Sequence, residues 1–434
     1  MSLFQIFSII LGILLGFLFA QWLFSYKEGF VSDSIRSDSG YTKQLGQIVA
    51  RFDPIASKRR SVDDLLTSSL ITDMPSAEQC FVNFYCLGCR FSGYLGPFQN
   101  GYFDYENATL YALKAGCRTF IYEIDYIDDC VGRGDAFDYY PRLVVRDVNG
   151  RIAFNGDSGR PQCNSDADSS IRRVSNVLRA NAFGSGVQNS TDPLIIVLYL
   201  LRIPPRERIG NKRLLTYYSR IARGLTPLLD KSVDNIVTGG TFARQAQESL
   251  LLTNPISDYD GRVLFFCNAD TSPFRTTTPG GTSGAYAPNE DLDYIVNLRL
   301  AYKQTQLGCT SDMAGGSFGG LETADSYMVI PPGQVDNTCD QTKLRWTVAL
   351  SADPSKPIDK KTFDYVGGEI GVHCLPICLW DTGNGFMFED TTFGTYSFMP
   401  KPKSLRFTRP PVAVPAQQAT AADAKGGSLR APSV

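Results

Sequence analysis

Leu194-Ile-Ile-Val-Leu-Tyr-Leu200 is an unbroken run of apolar side chains in the middle of the chain. A strand that has one face in water alternates apolar and polar residues, whereas a strand without polar positions is covered on both faces. The run therefore predicts a strand that is buried on both sides, as in a parallel sheet.

Six more β-rich runs bounded by turn residues predict strands, at 81–85, 119–124, 142–145, 263–267, 344–350 and 371–379. Helical stretches lie between them, at 106–115, 169–182, 211–229 and 241–252. This alternation predicts an α/β fold, and a closed TIM-type (β/α) barrel is its natural one-domain form. The segment 270–320, rich in Gly, Ser and Thr, does not fit the repeat and is predicted to be an elaborated connection.

The segment 1–26 carries no charged residue and is almost continuously apolar. A helix of about 20 residues spans the roughly 30 Å hydrocarbon core of a bilayer. The segment is therefore predicted to be a transmembrane anchor. The alternative is a cleaved secretory signal, but such signals begin with basic residues and end at a small-residue cleavage site, which this segment lacks.

Small residues recur every fourth position in the predicted anchor, at Ser8, Gly12, Gly16 and Ala20. They would share one face of a helix, where small residues let two helices approach closely in lipid. The pattern predicts a helix–helix contact in the membrane and a helix-mediated oligomer, although glycine is common enough in membrane helices for it to arise by chance.

Charge predicts the orientation of the anchor. No basic residue precedes it, and seven follow, namely Lys27, Arg36, Lys43, Arg51, Lys58, Arg59 and Arg60. The positive-inside rule then places the large domain on the cytosolic side of a single-pass membrane protein, with the lipid bilayer as a partner. Residues 27–76, polar and with little periodicity, are predicted to be a stalk, and residues 409–434, rich in Ala and Pro, a disordered tail.

Composition excludes some functions. A net charge of −2 at pH 7 argues against a nucleic-acid partner, because such proteins carry a basic surplus. The eleven cysteines include a CxxC spacing, Cys86 and Cys89, whose nearest candidate partners are Cys374 and Cys378. A zinc site is one interpretation, and reduced, partly buried thiols are the favoured one.

Several motifs within residues 77–408 occur in an order found in one superfamily. The segment Ala112-Leu-Lys-Ala-Gly-Cys-Arg118 and the following Glu123-Ile-Asp125 are similar to its "AL-x-x-G-C-R" and "E-L-D" motifs. Arg90-Phe-Ser-Gly-Tyr-Leu95 resembles its first strand, "S-H-N-T-Y-L", and Pro141-Arg-Leu-Val-Val-Arg146 its third, "P-x-V-x-H". The superfamily is that of the phosphoinositide-specific phospholipase C-like phosphodiesterases, and the resemblance implies a TIM-type barrel for residues 77–408.

The departures from that pattern bear on catalysis. The resemblance implies two histidines, one as general base and one as general acid, because imidazole titrates near neutral pH. Phe91 occupies the first position, and Val145 or Arg146 the second. The one histidine of the chain, His373, lies elsewhere and is predicted to be a hydrogen-bonded core residue. We therefore expect that the chain is not an enzyme.

Metal binding is expected to be lost as well. Calcium needs several oxygen ligands, and the positions implied by the resemblance correspond to Ser92, Glu123, Asp125 and Tyr199. Two carboxylates remain, so no metal or other cofactor is expected. Glu123 and Asp125 lie two apart on a strand and point to one face. They could still do acid–base chemistry, but neutralisation by Arg90, Arg118 or Arg146 is the favoured interpretation.

These features favour a membrane-anchored, catalytically inactive phospholipase C-like protein with a structural or tethering role. Histidine-depleted barrels of this kind resemble proteins of large DNA viruses. The resemblance implies a minor virion protein at the interface of inner membrane and capsid, with other membrane or capsid proteins as partners. The alternatives are a divergent phosphodiesterase that uses Glu123 and Asp125, and a phospholipid-headgroup-binding protein.

Overall fold

A ring of mainly parallel strands forms the centre of the computed structural model, which describes residues 38–96, 101–128, 131–132, 138–146, 151–155, 170–205, 212–232, 250–271, 290–302, 319–353 and 355–409. The strands are β1 (Phe84–Cys86), β2 (Gly88–Cys89), β3 (Tyr94–Leu95), β4 (Tyr102–Phe103), β5 (Thr119–Asp125), β6 (Arg142–Arg146), β7 (Ile152–Asn155), β8 (Leu194–Leu200), β9 (Val263–Cys267), β10 (Leu298–Tyr302), β11 (Gly319–Thr323), β12 (Trp346–Leu350) and β13 (Phe398–Pro400). The helices are α1 (Asp38–Ala56), α2 (Val62–Leu66), α3 (Tyr105–Lys114), α4 (Ser170–Asn181), α5 (Lys212–Leu225), α6 (Leu250–Thr253), α7 (Leu292–Ile295), α8 (Ala324–Met328), α9 (Val335–Leu344) and α10 (Lys360–Phe363).

The parallel strands follow the order β2, β5, β8, β9, β10, β11, β12. One segment joins the two ends of this series: Cys374 pairs with Val348 of β12, and Ile377 pairs with Cys89 of β2. The ring of strands is thereby closed, in the manner of a TIM-type barrel. We call the carboxyl ends of these strands the mouth of the barrel and the amino ends its base.

The predicted burial of residues 194–200 on both faces is confirmed. Leu194, Ile196, Leu198 and Leu200 pack with helix residues in the outer hydrophobic layer, and Ile195, Val197 and Tyr199 belong to the interior cluster. All seven are buried. Because successive side chains of a strand point to opposite faces, both faces of β8 have to be apolar.

Two predicted features of the sheet differ from the structure. Strand β6, expected among the parallel strands, runs antiparallel to β5 and pairs with β7 outside the ring. The segment 270–320, expected to be a connection, instead supplies β10 and the first residues of β11. Gly319 and Gly320 open β11, and glycine has low β-propensity, so the strand has no clear sequence signature. Gly319 is required there, because a Cβ would lie 2.7 Å from the Trp346 carbonyl oxygen of the neighbouring strand.

The described part of the expected stalk, residues 38–76, is instead packed against the barrel. Ile48 and Phe52 of α1 are buried in the outer layer beside α3. Val62 and Leu65 of α2 are buried in the interior cluster and cover the base. Only a few residues of this mainly polar segment make the apolar contacts with the barrel. Its overall composition therefore suggested a stalk. We call residues 38–66 the arm.

No helix in the described part of the chain is both long and apolar enough to cross a bilayer. The predicted anchor at 1–26, with Ser8, Gly12, Gly16 and Ala20, lies outside the described residues, as does the predicted tail from residue 410 onward.

Candidate functional site at the mouth of the barrel

The residues expected at a catalytic site converge at the mouth. Arg90, Phe91 and Ser92 directly follow β2, and Glu123 and Asp125 end β5. Ile121 belongs to the interior cluster, so Glu123 and Asp125, two and four residues further on, face inward as well. In parallel α/β barrels this end carries the functional groups.

An apolar cluster fills part of the mouth. Phe91, Tyr94 and Val145 form it, with Phe103, Cys378 and Trp380 packed against them. The Phe91 and Trp380 rings are stacked with centroids 5.7 Å apart, and Tyr94 meets Trp380 edge to face at 5.5 Å. Phe91, at the first histidine position implied by the resemblance, therefore lies beside Val145, one of the two candidates for the second position, and neither side chain can transfer a proton. Arg146, the other candidate, binds Asp125. We call this cluster the plug.

The backbone at Phe91 is strained. Its φ of 54° lies in the left-handed region that bulky residues rarely adopt. Such a conformation costs on the order of 1–3 kcal/mol and persists only where the surroundings fix it. Here the ring is held between Trp380 and the Arg90 guanidinium, which lies 4.6 Å from the ring centroid. The surrounding side chains therefore hold Phe91, and with it the plug, in this strained conformation.

Arg90 binds Glu123 in the interior of the mouth. The Arg90 Nε donates to Glu123 Oε1 at 2.6 Å, and Nη1 donates to the Ser351 carbonyl oxygen at 2.8 Å. Both charged side chains are nearly inaccessible, at 4% and 3% exposure. Burial alone would lower the pKa of Arg90, but the charge of Glu123 and its hydrogen bond outweigh burial and raise it. Glu123 is therefore bound by Arg90 in a buried ion pair.

Asp125 is bound by two guanidinium groups. Arg146 donates from Nε at 3.0 Å and from Nη2, and Arg202 donates from Nε at 2.8 Å. Burial lowers the pKa of the Arg202 guanidinium, but the charge of Asp125 outweighs burial and raises it. The predicted neutralisation of the carboxylates by Arg90 and Arg146 is confirmed. Arg202 was not predicted, because no motif links it to Asp125, 77 positions earlier in the chain.

Arg118, also expected to neutralise these carboxylates, does not reach them. Its guanidinium donates to the carbonyl oxygens of Ala182 and Asn189 at the base. Arg118 lies directly before β5 and the two carboxylates lie near its end, so the length of the strand separates them.

Ser92 and Tyr199, which stand at the other metal positions implied by the resemblance, have structural roles. Ser92 Oγ donates to the Ile121 carbonyl oxygen at 2.9 Å, and Tyr199 lies fully buried opposite Glu123 in the register of β5 and β8. Within the described ranges, no three His, Cys, Asp or Glu side chains are grouped so that they could hold a metal ion.

His373 is a hydrogen-bonded core residue, as predicted. The Thr347 N–H donates to Nδ1 at 3.0 Å, so Nε2 carries the proton and donates to the Val82 carbonyl oxygen at 2.8 Å. Burial, and secondarily the charge of Lys401, lower the pKa of His373 well below its usual value. The imidazole is fixed in the neutral form and takes no part in the mouth.

The cysteines of the CxxC spacing and Cys374 are free and buried, and Cys378 is free and half-buried. A hydrogen bond with Cys117, and burial, raise the pKa of Cys89, and burial raises the pKa of Cys378 to about 12. Metal ligation and nucleophilic attack require thiolates, and the raised pKa of Cys89 and of Cys378 disfavours that form at both sites.

Comparison with known proteins gives similarity in fold. No family model matches the chain, and no curated protein sequence matches it. PLC21 of L. pealei is similar with a TM-score of 0.45 and 11% identity, over 76% of this chain and 38% of that one. PLC21 of S. officinalis gives 0.45 and 13%, over 77% and 39%. A calcium-dependent phosphoinositol-specific phospholipase C from Pseudomonas sp. gives 0.40 and 11%, over 77% and 99%.

Each of these similarities has a TM-score below 0.5 and an identity of 11–13%. The chain spans less than half the length of the two PLC21 chains. Because the identities are 11–13%, the similarity concerns the fold and does not carry over the activity of those proteins.

Proposed function

We propose that this chain is a catalytically inactive, phospholipase C-like barrel that acts as a structural tether between a membrane and a protein layer. One observation carries the proposal. Phe91 stands at the first histidine position that the resemblance implies, and it packs in the buried plug with Val145, one of the two candidates for the second position. Arg146, the other candidate, is bound to Asp125. General acid–base catalysis needs a group at the reacting atoms that titrates near the working pH, and the plug offers none.

The remaining carboxylates support the same conclusion. A general base must be free to accept a proton, but Glu123 is bound by Arg90 and Asp125 by Arg146 and Arg202. Breaking such a pair in a site closed to water leaves an uncompensated buried charge, which costs about 3–5 kcal/mol. Acid–base chemistry on these two groups would have to overcome that cost in each cycle.

The tethering role is supported by the arm. The predicted anchor at 1–26 precedes the arm, with residues 27–37 between them. Arg51 donates to the Asp381 carbonyl oxygen and to Asn384, and Lys114 binds Asp53 at 2.7 Å, so the carboxyl-terminal half of α1 is attached to the barrel. An anchor joined to this arm would hold the barrel close to the bilayer.

In its most specific form, the proposal describes a minor virion protein of a large DNA virus, placed between inner membrane and capsid. The charge asymmetry around residues 1–26 supports a barrel on the cytosolic side, which is the side of such an inner membrane that faces the shell. Its partners would be the lipid bilayer and other membrane or capsid proteins. Mass spectrometry of purified particles tests this form, and absence of the chain from the particles would end it.

Membrane flotation tests the tether itself. We expect the full chain, expressed in cells, to float with membranes after washing in high salt and alkaline carbonate, because only a spanning helix resists both. A chain lacking residues 1–26 should stay in the dense fraction while retaining a folded barrel. As a control, Gly12→Leu with Gly16→Leu should keep flotation and lose any helix-mediated oligomer. Release of the full chain by carbonate would contradict the anchor.

A further inference from the structure

One segment of the chain contacts both the arm and the plug. It consists of residues 378–388, which we call the clasp. Near its beginning, Cys378 and Trp380 pack in the plug. At its end, Phe388 meets Phe52 of the arm edge to face, with ring centroids 5.6 Å apart. The clasp therefore lies between helix α1 and the mouth of the barrel.

Arg51 attaches α1 to the clasp. Its guanidinium donates hydrogen bonds to two groups of the clasp, the Asp381 carbonyl oxygen and Asn384 Oδ1. Burial lowers the pKa of this guanidinium, and the charge of Asp381 opposes the shift. The guanidinium carbon also lies 5.8 Å from the centroid of the Phe388 ring. One arginine side chain of the arm thus contacts the clasp at three points.

The Asn384 side chain continues this connection toward the plug. It is 2% exposed, and both ends of its amide are bonded. Oδ1 accepts from Arg51, and Nδ2 donates to the Cys378 carbonyl oxygen at 3.0 Å. The Asp381 N–H donates to the same carbonyl oxygen at 3.0 Å, so these bonds close a turn that contains Trp380. A buried amide oxygen that loses its donor is costly, and the turn therefore depends on Arg51.

Trp380 covers the backbone at the mouth. Its indole ring stacks on Phe91, whose backbone is in the strained left-handed conformation. It also lies directly against Gly96, where a Cβ would be 2.6 Å from Trp380 Cγ. A strained conformation persists only while its surroundings fix it. Once Trp380 moves away, we expect Phe91 to relax and the plug to open.

We propose that the arm is a strap that holds the mouth of the barrel closed. While Arg51 is bound to the clasp, Trp380 is fixed against Phe91. When α1 leaves the barrel, this support is lost and the mouth opens to water. Opening exposes Arg90 and Glu123, whose side chains are 4% and 3% exposed in the closed form. The strap depends neither on the predicted anchor nor on the absence of catalysis.

Hydrogen exchange and cysteine alkylation in the full chain test the strap. Arg51→Met removes both hydrogen bonds to the clasp and keeps much of the apolar volume. We expect residues 91–95 to exchange about tenfold faster than in the wild type, the factor for losing one buried hydrogen bond of a charged group. N-Ethylmaleimide should modify the free, half-buried Cys378 faster by a similar factor. Cys339, which is free and half-buried on α9, should react as in the wild type.

Three further variants separate the strap from other effects. Lys114→Met removes the 2.7 Å bond between α3 and Asp53 of the arm, a contact that does not involve the clasp, so the mouth should behave as in the wild type. Gly96→Ala displaces Trp380 without touching the arm, so the mouth should open while α1 keeps its protection. Arg51→Lys keeps the charge but lacks the fork that reaches both acceptors. It should have a smaller effect in the same direction, and it replaces Arg51→Met if that variant does not fold.

Wild-type rates at residues 91–95 and at Cys378 in the Arg51 variant, together with faster exchange of residues 38–56, would overturn the strap, because the arm would then leave without the plug. Equal opening of the mouth in Lys114→Met would overturn it too, since the connection would not pass through the clasp. Equally faster exchange of residues 194–200 in the Arg51 variant would also count against the strap, because it would indicate a general loss of stability.

Discussion

Replacing Arg90 by methionine is expected to destabilise the barrel by about 3–5 kcal/mol. The substitution keeps most of the apolar volume and removes the cation, so Glu123 would remain buried, charged and unpaired. The Ser351 carbonyl oxygen would lose its donor too, since Arg90 Nη1 lies 2.8 Å from it. Urea unfolding followed by circular dichroism measures the loss.

An exposed ion pair provides the matched control. Arg179 binds Asp230 at 2.6 Å, a distance equal to that of the buried pair, but these side chains are 39% and 53% exposed. Arg179→Met should cost at most about 1 kcal/mol. The double variant Arg90→Met, Glu123→Gln should recover part of the loss, because it removes the uncompensated charge. If Arg90→Met cost no more than the control, the buried pair of Arg90 and Glu123 would not be the stabilising contact that this account makes it.

Replacing Phe52 by alanine is expected to cost about 3–5 kcal/mol, the usual range for a buried phenylalanine. Phe52 is 0% exposed and meets the Phe388 ring edge to face at 5.6 Å. The substitution leaves a cavity between α1 and the segment that contains Phe388. The same unfolding measurement applies, and residues 38–56 should show the largest gain in hydrogen exchange.

Leu70 is the control for this prediction, since it belongs to the same N-terminal region and is 50% exposed. Leu70→Ala should change stability by no more than about 0.5 kcal/mol. Similar effects of the two substitutions would mean that the arm is a loosely attached stalk, as its composition suggested.

The sequence predicted the fold correctly where the burial of apolar side chains alone determines the structure. Residues 194–200 have no polar position, so burial on both faces was the only consistent outcome. Segments whose structure depends on distant partners were not predicted. Gly319 and Gly320 join a strand because Leu300 and Trp346 provide neighbouring backbone. The arm docks through a few apolar side chains, which the mainly polar composition of the segment does not reveal.

In the candidate site, too, contacts suggested by motifs were predicted and contacts between distant segments were not. Arg90 and Arg146 were candidates because motifs placed them near the carboxylates, and both bind them. Arg202 could not be predicted, since only the folded ring brings the end of β8 beside Asp125. The resemblance singled out Phe91 and either Val145 or Arg146, but the packing of Phe91 and Val145 with Tyr94 and Trp380 is visible only in the structure.

The most direct test of catalytic inactivity is hydrolysis of phosphatidylinositol and of glycerophosphodiesters by the purified full chain, with calcium present. We expect no product above a protein-free control, and no difference between the wild type and a Glu123→Gln variant whose folding has been verified by circular dichroism. Turnover by the wild type that disappears in Glu123→Gln would contradict the proposed structural role and assign the mouth of the barrel to catalysis.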